Sequence, residues 1–270
     1  MNVITLHASD LALAALLVLA NAGVSMALKL QVHRQMLWAA ARMVVQLLLV
    51  GLVLRLVFRA GSPAVTVAVA LLMIAAAARE VAARPDWRLR GGGNYGIAAL
   101  TVGVCSVATV VLALLTAIRP QPWHDPRYAI PLLGIVLGSV LNCASLGLDG
   151  FFESVTSRRA AIEAQLALGH PMREALSALT RAAIRRGVIP IVNQMSAAGL
   201  ITLPGTMTGQ LLAGMDPLES ARYQILLLLL LAGAGGLAAV GAVLLAARRV
   251  TDERQRLRTQ RLVRAGRRLP

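Results

Sequence analysis

Residues 223–247 read YQILLLLLLAGAGGLAAVGAVLLAA, a run in which no charged side chain occurs between Arg222 and Arg248. At about 1.5 Å per residue, this run would form a helix about 38 Å long, enough to cross the roughly 30 Å hydrocarbon layer of a bilayer. Because lipid offers backbone amides and carbonyls no partner, a helix that satisfies them internally is the expected structure. The stretch therefore predicts a transmembrane helix.

The same pattern recurs along the chain. Of its 270 residues, 57% are hydrophobic and only 14% are charged, with a mean hydropathy of +0.70. A soluble domain carries about 25% charged residues, so the composition argues against one. We predict an all-α, polytopic transmembrane helical bundle over residues 1–250 and a basic cytoplasmic tail over 251–270. The candidate spans, about seven, are 10–28, 37–58, 63–79, 96–118, 129–148, 188–212 and 223–247.

The distribution of basic residues predicts the orientation of the bundle. With the N-terminus outside, most Lys and Arg residues lie in inner segments, and the tail that follows residue 247 is rich in arginine. The outer segments then hold only Arg55, Arg59, Arg119, Arg127 and Arg222. The positive-inside rule accordingly predicts an N-out/C-in, multi-pass protein of the inner (plasma) membrane. We expect the tail to bind anionic membrane lipid and not nucleic acid, because it lacks stacking aromatic residues.

Several kinds of chemistry are missing from the sequence. Lys29 is the single lysine and no glycine-rich loop precedes it, which excludes a phosphate-binding P-loop in this chain. No His, Cys or carboxylate cluster has the spacing of a metal site, so we predict no metal-ligating residues. Apart from Asp10, the first residue of the first span, the predicted spans contain no Asp or Glu, which argues against an ion-coupled carrier. We therefore expect neither an enzyme nor a cofactor in this chain.

The sixth predicted span is interrupted by proline and glycine. Residues 188–210 read VIPIVNQMSAAGLITLPGTMTGQ, with uncharged polar side chains throughout. Irregular backbone at membrane depth is tolerated where it lines a watery cavity, and broken helices of this kind form the substrate sites of many transporters. We predict that this span lines a translocation path and that residues 203–210 form a loosened gate near its outer end. The expected path residues are Asn142, Asn193, Gln194, Ser196, Thr202, Pro204, Gly205, Thr206, Met207, Thr208, Gly209 and Gln210.

Part of this pattern has a second interpretation. Gly199, Gly205 and Gly209 also suit close helix packing in lipid. Met195 and Met207 could be soft metal ligands, but they fit space-filling at least as well.

The longest inner segment, residues 149–187, is predicted to contain two helices with a break between them. Gly169 suits the left-handed position that ends a helix, and Pro171 suits the first turn of the next helix. Such an element could be a lever that contacts a partner protein. It could equally be an amphipathic element lying on lipid head groups.

The run EAQLALGHPMREAL (163–176) resembles the E-A-x-x-x-x-G signature of ABC-transporter permeases, with Glu163, Ala164 and Gly169 at the matching positions. Three further stretches resemble the FetB family of ABC permeases, which includes bacterial iron-export permeases and plant proteins associated with aluminium tolerance. They are ARMVVQLLLVG (41–51), IPLLGIVLGSVLN (130–142) and GLITLPGTMTGQLLAGMDPLESARYQI (199–225).

This resemblance implies a permease subunit that pairs with itself and with a separate P-loop ATPase, which binds the ATP. It implies export of iron or another metal, and an ATPase-coupling segment containing Glu163, Ala164, Leu168, Gly169 and Pro171. Two alternatives stay open at this point. One is an uncoupled membrane scaffold or facilitator, and the other is an ABC permease for an organic cargo such as a nucleotide sugar.

Overall fold

The computed structural model describes residues 8–252, 254 and 256–264. Its α-helices are α1 (Ala8–Ala27), α2 (His33–Ala60), α3 (Pro63–Ala83), α4 (Gly93–Ala113), α5 (Pro126–Ser157), α6 (Arg159–Ala167), α7 (Met172–Ala175), α8 (Ser177–Ala197), α9 (Gly205–Leu212) and α10 (Pro217–Val250). Two short strands, β1 (Trp87–Leu89) and β2 (Leu262–Arg264), pair antiparallel. The predicted all-α helical bundle is confirmed.

The chain divides into two compact units. The first contains α1 and α2, which contact each other as a helical hairpin. Lys29 and Gln31 adopt left-handed backbone conformations in its turn, and the Val32 amide donates to Ser25 Oγ at 3.3 Å. Most apolar side chains of α2 are exposed, as expected for a helix surrounded by lipid.

The second unit contains α3 to α10 and has a buried core in which α5, α8 and α10 pack together. Phe151 and Phe152 of α5 and Val243 of α10 are fully buried in it. Small residues let the helices approach closely, as is usual within membranes. A Cβ atom built on Gly187 of α8 would lie 2.7 Å from the backbone oxygen of Cys143 in α5.

In the described part of the chain, six helical segments are long and apolar enough to cross a membrane: Ser9–Ala27, His33–Arg59, Pro63–Ala83, Arg90–Ile118, Pro126–Ser157 and Pro217–Val250. The remaining predicted span, 188–212, is two helices. α8 ends at Ala197, residues 198–204 are not helical, and α9 begins at Gly205. The predicted interruption is confirmed, whereas the count of seven and the N-out/C-in orientation stay predictions.

The position predicted for the loosened gate, residues 203–210, is wrong. Pro204 is the N-cap of α9, and residues 205–210 are helical. The physical reason is that the first residues of a helix have no intrahelical acceptor for their N–H groups, so a proline there costs no hydrogen bond. Pro204 therefore starts a helix instead of loosening one, and the irregular backbone lies just before it.

The inner segment also differs from its prediction. α5 continues to Ser157, well beyond the predicted span end at 148, because Phe151, Phe152 and Val155 are buried in the core. Three helices follow where two were predicted, because the single turn α7 is separated from α8 at Leu176.

The described part of the basic tail is folded. The Asp252 carboxylate accepts hydrogen bonds from the backbone N–H groups of Arg254 and Arg256, at 3.1 and 2.8 Å, and from Arg258 Nε at 2.9 Å. These bonds turn the chain back after α10, so that β2 reaches β1 in the α3–α4 connection. Residues 265–270 of the predicted tail lie outside the described residues.

We expect Asp252→Asn to open this turn, so that trypsin cuts at Arg254 and Arg256 severalfold faster than in the wild type. The Arg256 backbone N–H, and then the Arg258 guanidinium, hold the pKa of Asp252 below its ordinary value. The turn is therefore stabilised above the ordinary carboxyl pKa of about 4 and loses that stabilisation as the pH falls through the lowered value. Mass spectrometry of the released peptides measures the cleavage. Equal cleavage rates in wild type and variant would contradict the role of Asp252 in this turn. The matched control is Glu219→Gln, which neutralises a carboxylate in the first turn of α10.

Candidate coupling segment and translocation path

The turn between α6 and α7 has the conformation predicted for it. Gly169 has a φ of 89°, in the left-handed region, and its N–H donates to Leu166 O at 3.0 Å. The His170 N–H closes the turn on Gln165 O at 3.1 Å. Pro171 is the N-cap of α7. The backbone of the turn is thus held by its own hydrogen bonds.

The predicted coupling segment spans residues 149–187. Its part around this turn, residues 159–176, is called the coupling segment below and has a buried face and an exposed face. Ile162, Met172, Ala175 and Leu176 are buried and anchor it to the bundle. The predicted coupling residues are all exposed, namely Glu163, Ala164, Leu168, Gly169 and Pro171. Leu168, at the tip of the turn, is 80% exposed. An apolar side chain presented in this way on an anchored turn is suited to contact a partner protein.

Ionic contacts join α8 to α5. Arg186 Nη1 lies 2.8 Å from Glu153 Oε2, and Arg186 Nη2 lies 3.8 Å from Asp149 Oδ2. Asp149 also accepts a hydrogen bond from the Asp86 N–H at 3.1 Å. A Cβ atom on Gly150 would lie 2.9 Å from Arg186 Cδ, so the arginine stem packs directly over that glycine. This group was not predicted from the sequence, although the i, i+4 spacing of Asp149 and Glu153 places both carboxylates on one helical face.

The predicted path residues of α8 and α5 are exposed in the single chain. Asn193, Gln194 and Ser196 lie on the last two turns of α8, and Ser196 Oγ donates to Val192 O at 3.0 Å. Asn142 Oδ1 accepts from Arg84 Nη1 at 2.9 Å. The Asn142 side chain is therefore hydrogen-bonded to Arg84, which was not among the predicted path residues.

The break between α8 and α9 is closed by local hydrogen bonds. Gly199, with a φ of 86°, donates its N–H to Thr202 O at 2.9 Å, and Thr202 donates its N–H to Ala197 O at 3.0 Å. Leu200 and Ile201 project from this turn and are 93% and 82% exposed. The segment is a compact, hydrogen-bonded loop with an apolar tip.

Helix α9 packs beside α5 and α10 around a cavity of about 350 Å³. We call it the α9 cavity, and its polar lining residues are Arg127, Tyr128, Thr206, Gln210 and Tyr223. Its volume lies within the range of about 300–1,000 Å³ that is usual for small-molecule sites. Thr206 Oγ1 donates a hydrogen bond to Oε1 of Gln224, a residue that is only 7% exposed. The buried Gln210 Oε1 has no hydrogen-bond partner among the described residues.

The structure brings together only part of the predicted path. Thr206, Gly209 and Gln210 line the α9 cavity, whereas Asn142, Asn193, Gln194 and Ser196 do not. The cavity residues that belong to α5 and α10 were not among the predicted path residues. The available signal was that Tyr128 and Tyr223, two of the three tyrosines in the chain, each lie near the start of a long apolar helix. Within the described ranges, no group of three or more His, Cys, Asp or Glu residues could hold a metal ion.

These long apolar helices define a multi-pass α-helical membrane protein. The chain belongs to UPF0014, described as an uncharacterised protein family, whose model matches residues 8–251.

Among its relatives, the UPF0014 membrane protein slr1647 of Synechocystis is 36% identical over 83% of this chain and 85% of its own. The "Probable iron export permease protein FetB" of Escherichia coli is 29% identical over 95% of this chain and 97% of its own. The rice UPF0014 membrane protein STAR2 is 32% identical over 74% of this chain and 68% of its own. No solved structure matches the chain significantly. The resemblance to the FetB family is thereby confirmed.

Proposed function

We propose that this chain is the permease subunit of an ABC transporter of the inner membrane, which exports iron or another metal. In this proposal two copies of the chain form the transport path, and a separate P-loop ATPase binds and hydrolyses ATP. The metal and the direction of transport are supported by the name of the Escherichia coli relative, a probable iron export permease.

The observation that carries the proposal is the exposed tip of the coupling segment. Leu168 is 80% exposed although Ile162 and Met172, on either side of it in sequence, are buried. The chain itself therefore leaves most of the Leu168 side chain unburied. This side chain is suited to fill a pocket on a partner, where one central apolar residue contributes much of the binding free energy.

The connection from the coupling segment to the cavity supports the same proposal. α7 leads through Leu176 directly into α8, and α8 ends at the break that precedes α9. A push on the coupling segment therefore acts along α8 towards the helix that lines the cavity. The Arg186 ion pairs with α5 would hold α8 in one position until that push arrives.

We expect Leu168→Glu to weaken binding of the ATPase by about 2 kcal/mol or more, roughly thirtyfold, because a charge would replace the apolar anchor. The measurement is co-purification with a P-loop ATPase encoded beside this chain in its genome, followed by titration of the purified subunits. Leu168→Met is the matched control and should bind as the wild type does. If Leu168→Glu retains the ATPase, or if no ATPase accompanies the wild-type chain, the proposal fails and the uncoupled scaffold or facilitator becomes the better assignment.

A further inference from the structure

The α9 cavity is rich in hydrogen-bond donors and lacks acidic side chains. No Asp, Glu, His or Cys is among its described lining residues. Hard metal cations are bound in proteins mainly by carboxylate and carbonyl oxygens. A cavity that presents a guanidinium and two phenol groups is therefore poorly suited to a bare metal cation.

Arg127 supplies the positive charge of this cavity. It lies in the first turn of α5, where the helix dipole disfavours a cation. The neighbouring carboxylate, Asp125, is engaged in capping α5, where its Oδ1 accepts the Arg127 backbone N–H at 2.9 Å. Among the described residues no ion pair is recorded for the Arg127 guanidinium, whereas Arg222 pairs with Glu219 at 2.6 Å. The Arg127 side chain is thus available to a ligand.

The remaining lining residues narrow the class of ligand. Tyr128 and Tyr223 each carry a hydroxyl group that can donate one hydrogen bond and accept another. Apolar side chains such as Leu132 and Ile135 line the rest of the cavity. A ligand that carries a carboxylate for Arg127 and a hydroxyl for the two tyrosine hydroxyl groups matches this lining.

We propose that the α9 cavity binds a hydroxycarboxylate, alone or as the chelating part of a metal complex. Its carboxylate pairs with the Arg127 guanidinium, in the two-point geometry that arginine offers to carboxylates, and its hydroxyl donates to the hydroxyl oxygen of Tyr128 or Tyr223. This inference rests on the proposed metal-transport function and deepens it. The metal is then moved as an anionic chelate, and the chain needs no metal-ligating side chains of its own.

The test is equilibrium binding to the full-length chain reconstituted in lipid nanodiscs. The probes are labelled citrate alone, ferric citrate labelled in both iron and citrate, and ferrous iron without a chelator. We expect citrate and ferric citrate to be retained, and Arg127→Gln to weaken their binding about tenfold or more, because charge-assisted hydrogen bonds to the carboxylate are lost. Arg222→Gln removes an arginine already paired with Glu219 and should leave binding unchanged.

Three results would overturn the inference. They are retention of unchelated iron in preference to the citrate complex, equal effects of Arg127→Gln and Arg222→Gln, and no retention of citrate at all. Monodisperse elution and unchanged thermal unfolding of both variants exclude misfolding as the cause. Co-purification of the ATPase with Leu168→Met but not with Leu168→Glu tests the proposed function separately. If the ATPase co-purifies as expected but citrate does not bind, the hydroxycarboxylate inference is refuted and the proposed function is not.

Discussion

A chain carrying Gly169→Val should insert into the membrane normally but fail to couple the proposed ATPase to the proposed transport. Gly169 has a φ of 89°, and a β-branched residue in this region is strained by about 1–3 kcal/mol. Nothing lies within 4 Å of a Cβ atom built on Gly169, so the effect arises from the backbone and not from a clash. The strain is relieved if the α6–α7 turn rearranges, which moves Leu168 away from its position at the tip.

Transport-stimulated ATP hydrolysis by the reconstituted complex measures this coupling, and the amount of chain in the membrane fraction measures insertion. Gly169→Asn is the matched control, because asparagine tolerates the left-handed conformation better than other non-glycine residues. We expect Gly169→Asn to keep most of the stimulated activity and Gly169→Val to lose nearly all of it. Full activity in Gly169→Val would show that the conformation of this turn does not matter for coupling.

The features that the sequence predicted correctly are those determined by local chemistry. The uncharged run at 223–247 forms most of α10 because only a helix satisfies its backbone in lipid. Gly169 ends α6 because glycine adopts a positive φ without steric cost. The break after α8 was predicted within a few residues, and the error concerned Pro204, which is compatible with the first turn of a helix as well as with a loop.

The structural features that could not be predicted from the sequence depend on contacts between residues distant in the chain. Arg186 meets Asp149 and Glu153 only because α8 packs on α5, and β2 finds β1 only after the tail turns at Asp252. The α9 cavity likewise joins residues of α5, α9 and α10, so no single segment shows that Gln210 lies near two tyrosines. Hydropathy could not reveal these contacts, because the same apolar residues can face lipid or a neighbouring helix.

Gly187→Ala should destabilise the bundle by about 1–3 kcal/mol, the usual effect of overpacking, even though alanine is the better helix former by about 1 kcal/mol. The added Cβ atom would lie 2.7 Å from Cys143 O, 3.1 Å from Ala239 Cβ and 3.3 Å from Gly147 Cα. These are mainly backbone atoms, which cannot rotate away as the end of a side chain can. The substitution therefore forces α8 away from both α5 and α10.

Gly236→Ala is the control that isolates this effect. Gly236 also lies inside a helix, α10, but nothing occurs within 4 Å of a Cβ atom built on it, so alanine there should be neutral or stabilising. Thermal unfolding in detergent compares the two variants, and equal midpoints would refute close packing at Gly187. Because α8 carries the coupling segment at one end and the break before α9 at the other, its distance from α5 decides whether Arg186 reaches Glu153. Gly187→Ala should therefore also reduce stimulated ATP hydrolysis at temperatures where the chain remains folded.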